Sequence, residues 1–100
     1  MIRESGTLLV GVEYEGKRHK EFTLRPAIVR DSIEAHKEAE GKGDMVFAVC
    51  ALARQVETLG EIPVEKITGE LLCGLYDADL EILQKARETA EKKIRGPKSA

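Results

Sequence analysis

The sequence has no tryptophan and only four aromatic residues, Tyr14, Phe22, Phe47 and Tyr76. Proteins that bind single-stranded nucleic acid stack bases on aromatic side chains, so this scarcity argues against such a surface. An excess of positive charge is also missing, because 16 basic and 18 acidic residues give a net charge of −2 and a pI of about 5.7. A polyanion-binding domain would be basic. We therefore expect no nucleic acid among the partners.

Long apolar runs are absent as well. None approaches the roughly 20 residues that a membrane-spanning helix needs, and the first residues lead into a strand pattern and not into a signal peptide. We expect a cytoplasmic protein that has no membrane contact. Cys50 and Cys73 form no CxxC pair and fall within apolar helical patterns. This favours two buried thiols in a reducing compartment, although the sequence leaves a disulfide open.

Motifs that carry chemistry are scarce too. Residues 11–17 have GxxxxGK spacing, but Arg18 follows in place of Ser or Thr and a strand follows in place of a helix, so a phosphate-binding loop is not indicated. The acidic cluster at 77–81 is interpreted as the cap and first turn of a helix. His19 is predicted on the solvent face of a strand and His36 on an apolar helix face, without zinc-ligand spacing. We therefore expect that the protein is not an enzyme and that it binds neither a metal nor a cofactor.

One hundred residues are enough for a single core. The patterns predict one α+β domain, 1–95, in which an N-terminal β-hairpin packs on a bundle of three to four α-helices. The hairpin covers 7–24, with its turn around Gly16. A two-residue turn would pair even-numbered with odd-numbered residues and set the buried set of one strand against the exposed set of the other. We therefore predict a three-residue turn, with Gly16 at a positive φ.

Helical periodicity predicts helices at about 27–40, 45–59, 68–75 and 78–95, a proline-marked connector at 62–67 and a disordered tail at 96–100. In the first helix one band is expected to face the core and the opposite face, with Asp31, to face water. The second helix is expected to begin at the cap residue Asp44, and its amino half is apolar nearly all round. That half needs burial on two sides or a partner protein. The band expected to be buried in the first helix consists of Ile28, Val29, Ser32, Ile33, His36 and Ala39.

Several short motifs occur in a recognisable order over residues 7–90. They are a hairpin closing on Thr23-Leu24-Arg25-Pro26, an acidic residue in the next helix (Asp31), an apolar helix with the sequence at 48–53, a proline-marked turn at 60–67, and a Leu-rich segment running into an Asp-led helix at 75–80. Together they resemble the Mu-like phage tail assembly chaperones. The individual motifs are short, and their order and spacing carry the likeness.

The resemblance implies a function without chemistry. Such chaperones bind the tape measure protein and keep that long helical chain soluble until the tail tube forms. In many of them a frameshifted extension recruits the tail tube protein, so this chain would be the shorter product. We expect the client contact on Phe47, Cys50, Leu72, Tyr76 and Ile82. The alternative is a homo-oligomeric structural or adaptor subunit of a phage or prophage particle that associates through the same surface.

Overall fold

A three-stranded antiparallel sheet in the order β1-β2-β3 packs with four α-helices, which confirms the predicted α+β class. The computed structural model describes residues 2–96, so the predicted tail lies outside the described residues apart from Gly96. None of the described helices is long and apolar enough to cross a membrane. The elements are β1 Glu4–Tyr14, β2 Lys17–Leu24, α1 Val29–Glu38, α2 Asp44–Gln55, β3 Val56–Leu59, a 3-10 turn Val64–Lys66, α3 Gly69–Cys73 and α4 Asp77–Arg95.

The third strand was not predicted. The helix expected at 45–59 ends at Gln55, and the last four residues pair with β2 through Phe22↔Leu59 and Thr23↔Thr58. Val56 and Leu59 are both buried, and a spacing of three fits a helix as well as a strand with an irregular register. The β-branched residues Val56 and Thr58 favour the strand, and pairing satisfies the free edge of β2.

Most other boundaries agree with the sequence to within a few residues. The connector contains the expected turn, opened by Pro63, and the Thr68 hydroxyl caps α3 by accepting a hydrogen bond from the Leu71 N–H at 3.2 Å. The cap of α2 differs, because Gly43 occupies the cap position and Asp44 is the first helical residue. Tyr76 occupies the cap position of α4 without a side-chain capping bond, so Asp77 also moves from the cap into the first turn.

The hairpin brings its apolar residues to one face by a different turn and register from those predicted. Its turn is the two-residue loop Glu15-Gly16 with φ values of 48° and 79°, so the predicted three-residue turn is wrong. Next to the turn even residues do pair with odd ones, as in Val12↔His19. Between Thr7 and Val12 the register shifts, and beyond the shift even pairs with even, as in Gly6↔Phe22. A bulge in β1 therefore restores a common buried face.

His19 is buried as a consequence of this register. It pairs with Val12 across the hairpin, and its Nδ1 accepts a hydrogen bond from the backbone N–H of Glu61 at 3.1 Å. The predicted solvent-facing position of His19 is therefore wrong. Gly60 makes room for the imidazole, because a Cβ at that position would lie 2.3 Å from His19 Nδ1.

The bulge is held by Asp79 of α4. Its carboxylate is 0% exposed and accepts hydrogen bonds from the backbone N–H groups of Leu9, Val10 and Gly11 at 2.6 to 3.3 Å. Gly11 has a φ of 81°, and a Cβ there would lie 2.3 Å from the backbone oxygen of His19. Asp79 was predicted as an acidic first-turn residue of the helix, but its carboxylate serves β1 instead. It fastens the hairpin to the start of α4.

The core lies between the sheet and the helices α2, α3 and α4. Leu24, Leu52, Leu72 and Leu83 are among its most enclosed members, with no more than 3% of each exposed. A smaller apolar cluster forms where α1 crosses α2. Helix α1 therefore packs on the body of the protein largely through α2.

The Asp79 contact yields a stability prediction. We expect Asp79→Ala to lower the free energy of unfolding by about 2–4 kcal/mol, because three partly or fully buried N–H groups lose their acceptor. The matched control Asp77→Ala removes an exposed carboxylate from the same helical turn and should cost less than about 1 kcal/mol. Urea denaturation followed by circular dichroism measures both, and equal losses would contradict the role given to Asp79.

Candidate protein-binding surface

The orientation of α1 is set by an ion pair at its start. Two guanidinium nitrogens of Arg25 each donate to one carboxylate oxygen of Asp31 at 2.8 Å, and the backbone N–H of Ile28 donates to the same carboxylate at 2.9 Å. Arg25 also donates to the backbone oxygen of Arg54 at the end of α2 at 3.0 Å. The side of α1 that carries Asp31 therefore faces the body of the protein.

Small residues continue that inner side of α1. Ala35 and Ala39 follow Asp31 at intervals of four residues and are buried against Cys50 of α2, with Val46, Phe47 and Ala51 around them. A four-residue spacing keeps side chains on one helical face, and alanine lets two helix backbones approach closely. A bulky residue does not fit on this face.

Of the band predicted to be buried, only Ala39 is buried, and the other members point outwards, contrary to the prediction. Val29 is 78% and Ile33 51% exposed, and Ile28 is exposed as well. His36 is also exposed, and its ring lies on Phe47 of α2 with the centroids 4.3 Å apart. We name the surface formed by Val29, Ile33, His36 and Phe47 the α1 stripe. It is a run of apolar and aromatic groups in which Val29, Ile33 and His36 are exposed and Phe47 is half-buried.

The electrostatics of the Arg25–Asp31 pair favour its charged form. Burial of Asp31 opposes ionisation, but the hydrogen bonds from Arg25 and from the Ile28 N–H, together with the charge of Arg25, outweigh it and hold the pKa of Asp31 below its ordinary value. The carboxylate therefore stays ionised at neutral pH and retains its bonds.

The five residues expected to contact a client are separated by the fold. Cys50 and Leu72 are only 1% and 2% exposed, too enclosed to form a contact surface, which corrects that part of the prediction. Phe47 and Ile82 are half-buried, whereas Tyr76 is 66% exposed. Of the five, Phe47 belongs to the α1 stripe.

Two open grooves are lined in part by other residues of the predicted client contact, Tyr76 and Leu72. Tyr76 borders a groove of about 620 Å³ beneath the hairpin turn, with Tyr14 and Leu71 on its other walls. A smaller cleft of about 200 Å³ lies between the start of α2 and the loop before α4, where Met45 and Leu72 contribute to its lining. The α1 stripe, by contrast, is a raised helix surface that a partner could cover without entering a cavity.

The cysteines occupy different environments. Cys50 is buried, and burial, with the nearby charge of Glu38, raises the pKa of its thiol. A raised thiol pKa makes a poor nucleophile. Cys73 is exposed, so the prediction of two buried thiols is wrong for that residue. Within residues 2–96 no cluster of three His, Cys, Asp or Glu side chains could hold a metal ion.

Val29 and Ile33 are the surface residues whose exposure the sequence analysis missed. The apolar band predicts the opposite orientation, because large apolar residues usually lie inside. A signal for the true orientation was present in Asp31, Ala35 and Ala39, which have the spacing of a closely packed helix face. An acidic residue six positions after Arg25, across a proline, completes that signal.

Protein-family models, curated proteins and solved structures were compared with the chain, and none of them matches it. The resemblance to tail assembly chaperones therefore rests on the short sequence motifs in residues 7–90 alone.

The Arg25–Asp31 pair yields a pH prediction. Because the pKa of Asp31 is lower in the folded chain than in the unfolded chain, its ionised form stabilises the fold above the unfolded value of about 3.9, and this contribution is lost as the pH falls through the folded pKa. The loss of stability in Asp31→Asn should therefore be constant between about pH 5 and 7 and shrink below about pH 4. Urea denaturation across this range measures it, with exposed Asp44→Asn as the control. A loss independent of pH would contradict the assignment.

Proposed function

We propose that this protein binds a helical segment of another protein through the α1 stripe, and that the partner is a phage tape measure protein, kept soluble in the host cytoplasm until the tail tube assembles. The observation that carries the proposal is the outward orientation of Val29 and Ile33. These two residues are four positions apart and form one ridge on α1. Such a ridge is the surface that an amphipathic helix covers in a helix-to-helix contact.

The exposed apolar groups are not needed to hold α1 in place. The helix is fastened by the Arg25–Asp31 pair and by the buried alanines on its other side. Covering a Val or Ile side chain completely is worth about 1.5–3 kcal/mol, and a partner could gain part of this. A protein that captures a client needs apolar surface that its own fold leaves uncovered, so that burial of this surface can stabilise the complex.

The motif residues behind the family resemblance support the proposal. Arg25 and Asp31, which belong to that resemblance, are the two residues that turn the α1 stripe outwards. The motif thus has a physical role that leads directly to the candidate surface. By the same resemblance, recruitment of the tail tube protein would need a longer, frameshifted form of the chain.

Co-expression with the tape measure protein tests the proposal. We expect the wild type to raise the soluble fraction of the client, and Val29→Ser/Ile33→Ser to remove most of that effect. The matched control Leu9→Ser/Val64→Ser replaces two equally exposed apolar residues outside the stripe and should act as wild type. Because all four side chains are exposed, each substitution should change the free energy of unfolding by no more than about 0.5 kcal/mol.

Three outcomes would count against the proposal. If the wild type leaves the client as insoluble as it is with no partner, the chaperone function is wrong. If both double variants lose the effect equally, the contact is not on the α1 stripe. If light scattering shows a stable ring that dissociates in Val29→Ser/Ile33→Ser, the stripe is a contact between subunits and the alternative of a homo-oligomer holds.

A further inference from the structure

The charges around the α1 stripe are unevenly distributed. At 100° per residue Val29, Ile33 and His36 span an arc of about 60°, and Lys37 and Arg30 follow within about 60° beyond Ile33. Both basic residues are exposed, and within residues 2–96 neither forms an ion pair. One long border of the stripe therefore carries two positive charges that the described chain does not neutralise.

Two acidic residues of α1, Asp31 and Glu38, are engaged elsewhere in the fold. Asp31 is bound by Arg25, and Glu38 turns inwards to Arg54 at 3.0 Å and to the backbone N–H of Glu70 at 3.3 Å. Glu34 is half-buried on the far side of Arg30 from the stripe. Two of the three acidic side chains of α1 are therefore bound within the fold, whereas Arg30 and Lys37 lie exposed beside the apolar groups. On its opposite side the stripe continues onto α2 through Phe47, which carries no charge.

This arrangement disfavours antiparallel pairing of the stripe with a second copy of itself. A two-fold axis that relates two antiparallel α1 helices brings the same border of each helix together. The basic border of one copy would then face the basic border of the other, with Arg30 near Lys37 of the second copy. Like charges across an interface oppose association. The charges therefore disfavour this antiparallel dimer and favour a partner that carries negative charge at this border.

We infer that the partner is an amphipathic helix whose apolar face is bordered by Asp or Glu residues about seven positions apart, which lie against Arg30 and Lys37. This inference rests on the proposed function and adds the chemistry of the partner. Seven residues cover about 10.5 Å of helix, so acidic groups at that spacing reach both cations. Opposite charges at the border of an interface select the partner and speed its association, and they do so most at low salt.

Two synthetic peptides test the inference directly. Each is a fluorescein-labelled helix of about 18 residues with the same leucine face, bordered by Glu in one peptide and by Lys in the other. Fluorescence anisotropy at low ionic strength should show the Glu peptide binding the full chain about tenfold more tightly, and the difference should shrink in about 0.5 M salt. The double variant Arg30→Glu/Lys37→Glu should reverse the preference. The control Lys20→Glu/Lys85→Glu changes two exposed lysines on other elements and should keep it.

The outcomes separate this inference from the proposed function. If both peptides bind equally and Val29→Ser/Ile33→Ser abolishes both, the stripe binds helices and the charge inference is wrong. If the Lys peptide binds more tightly, or if neither peptide binds, the inference is also overturned, while co-expression still decides on the chaperone function. If the wild type forms a dimer that Arg30→Glu/Lys37→Glu strengthens, the occupant is a second copy and the inference fails.

Discussion

The junction built around Arg25 is the contact on which the rest of the arrangement depends. Its guanidinium joins Asp31 at the start of α1 to the carbonyl of Arg54 at the end of α2. Its backbone exchanges hydrogen bonds with Gln55, whose side chain also accepts from Arg87 of α4 at 3.1 Å. One residue thus connects the end of β2, the first helix and the point where α2 becomes β3. Removing one partner of such a half-buried charged pair leaves the other uncompensated.

A rotation of α1 shows what this junction decides. Turning the helix by about 140° would bury Val29 and Ile33, which favours folding by a few kcal/mol at most. It would also break the bonds of Asp31 and force bulky side chains into a contact with α2 that now holds alanines. The penalty for an uncompensated buried charge is of the same size or larger, and overpacking adds about 1–3 kcal/mol. The observed orientation of α1 therefore has the lower free energy, and its apolar side remains exposed.

Sequence reasoning predicted the class and most element positions, because strand alternation in the hairpin and helical periodicity in the later segments are local signals. It failed where a distant group decides. The β1 bulge depends on Asp79, some 70 positions along the chain, and no pattern within the hairpin reveals it. The third strand was missed because Val56 and Leu59 suit a helix equally well. Of the expected contact residues, Cys50 and Leu72 were misplaced because apolar periodicity does not say which apolar face is covered.

The same separation of tasks explains how a small domain can carry an exposed apolar helix without losing its fold. Its core is closed by β2, β3, α2 and α4, whereas α1 is fastened by a charged pair and two alanines that need no help from the stripe. Stability and partner binding therefore depend on different residues. Since the acidic side chains that fasten α1 point inwards, the outer surface is left both apolar and positive. The inward orientation of Asp31 towards Arg25 thus leaves both the apolar stripe and its basic border on the outer side of α1.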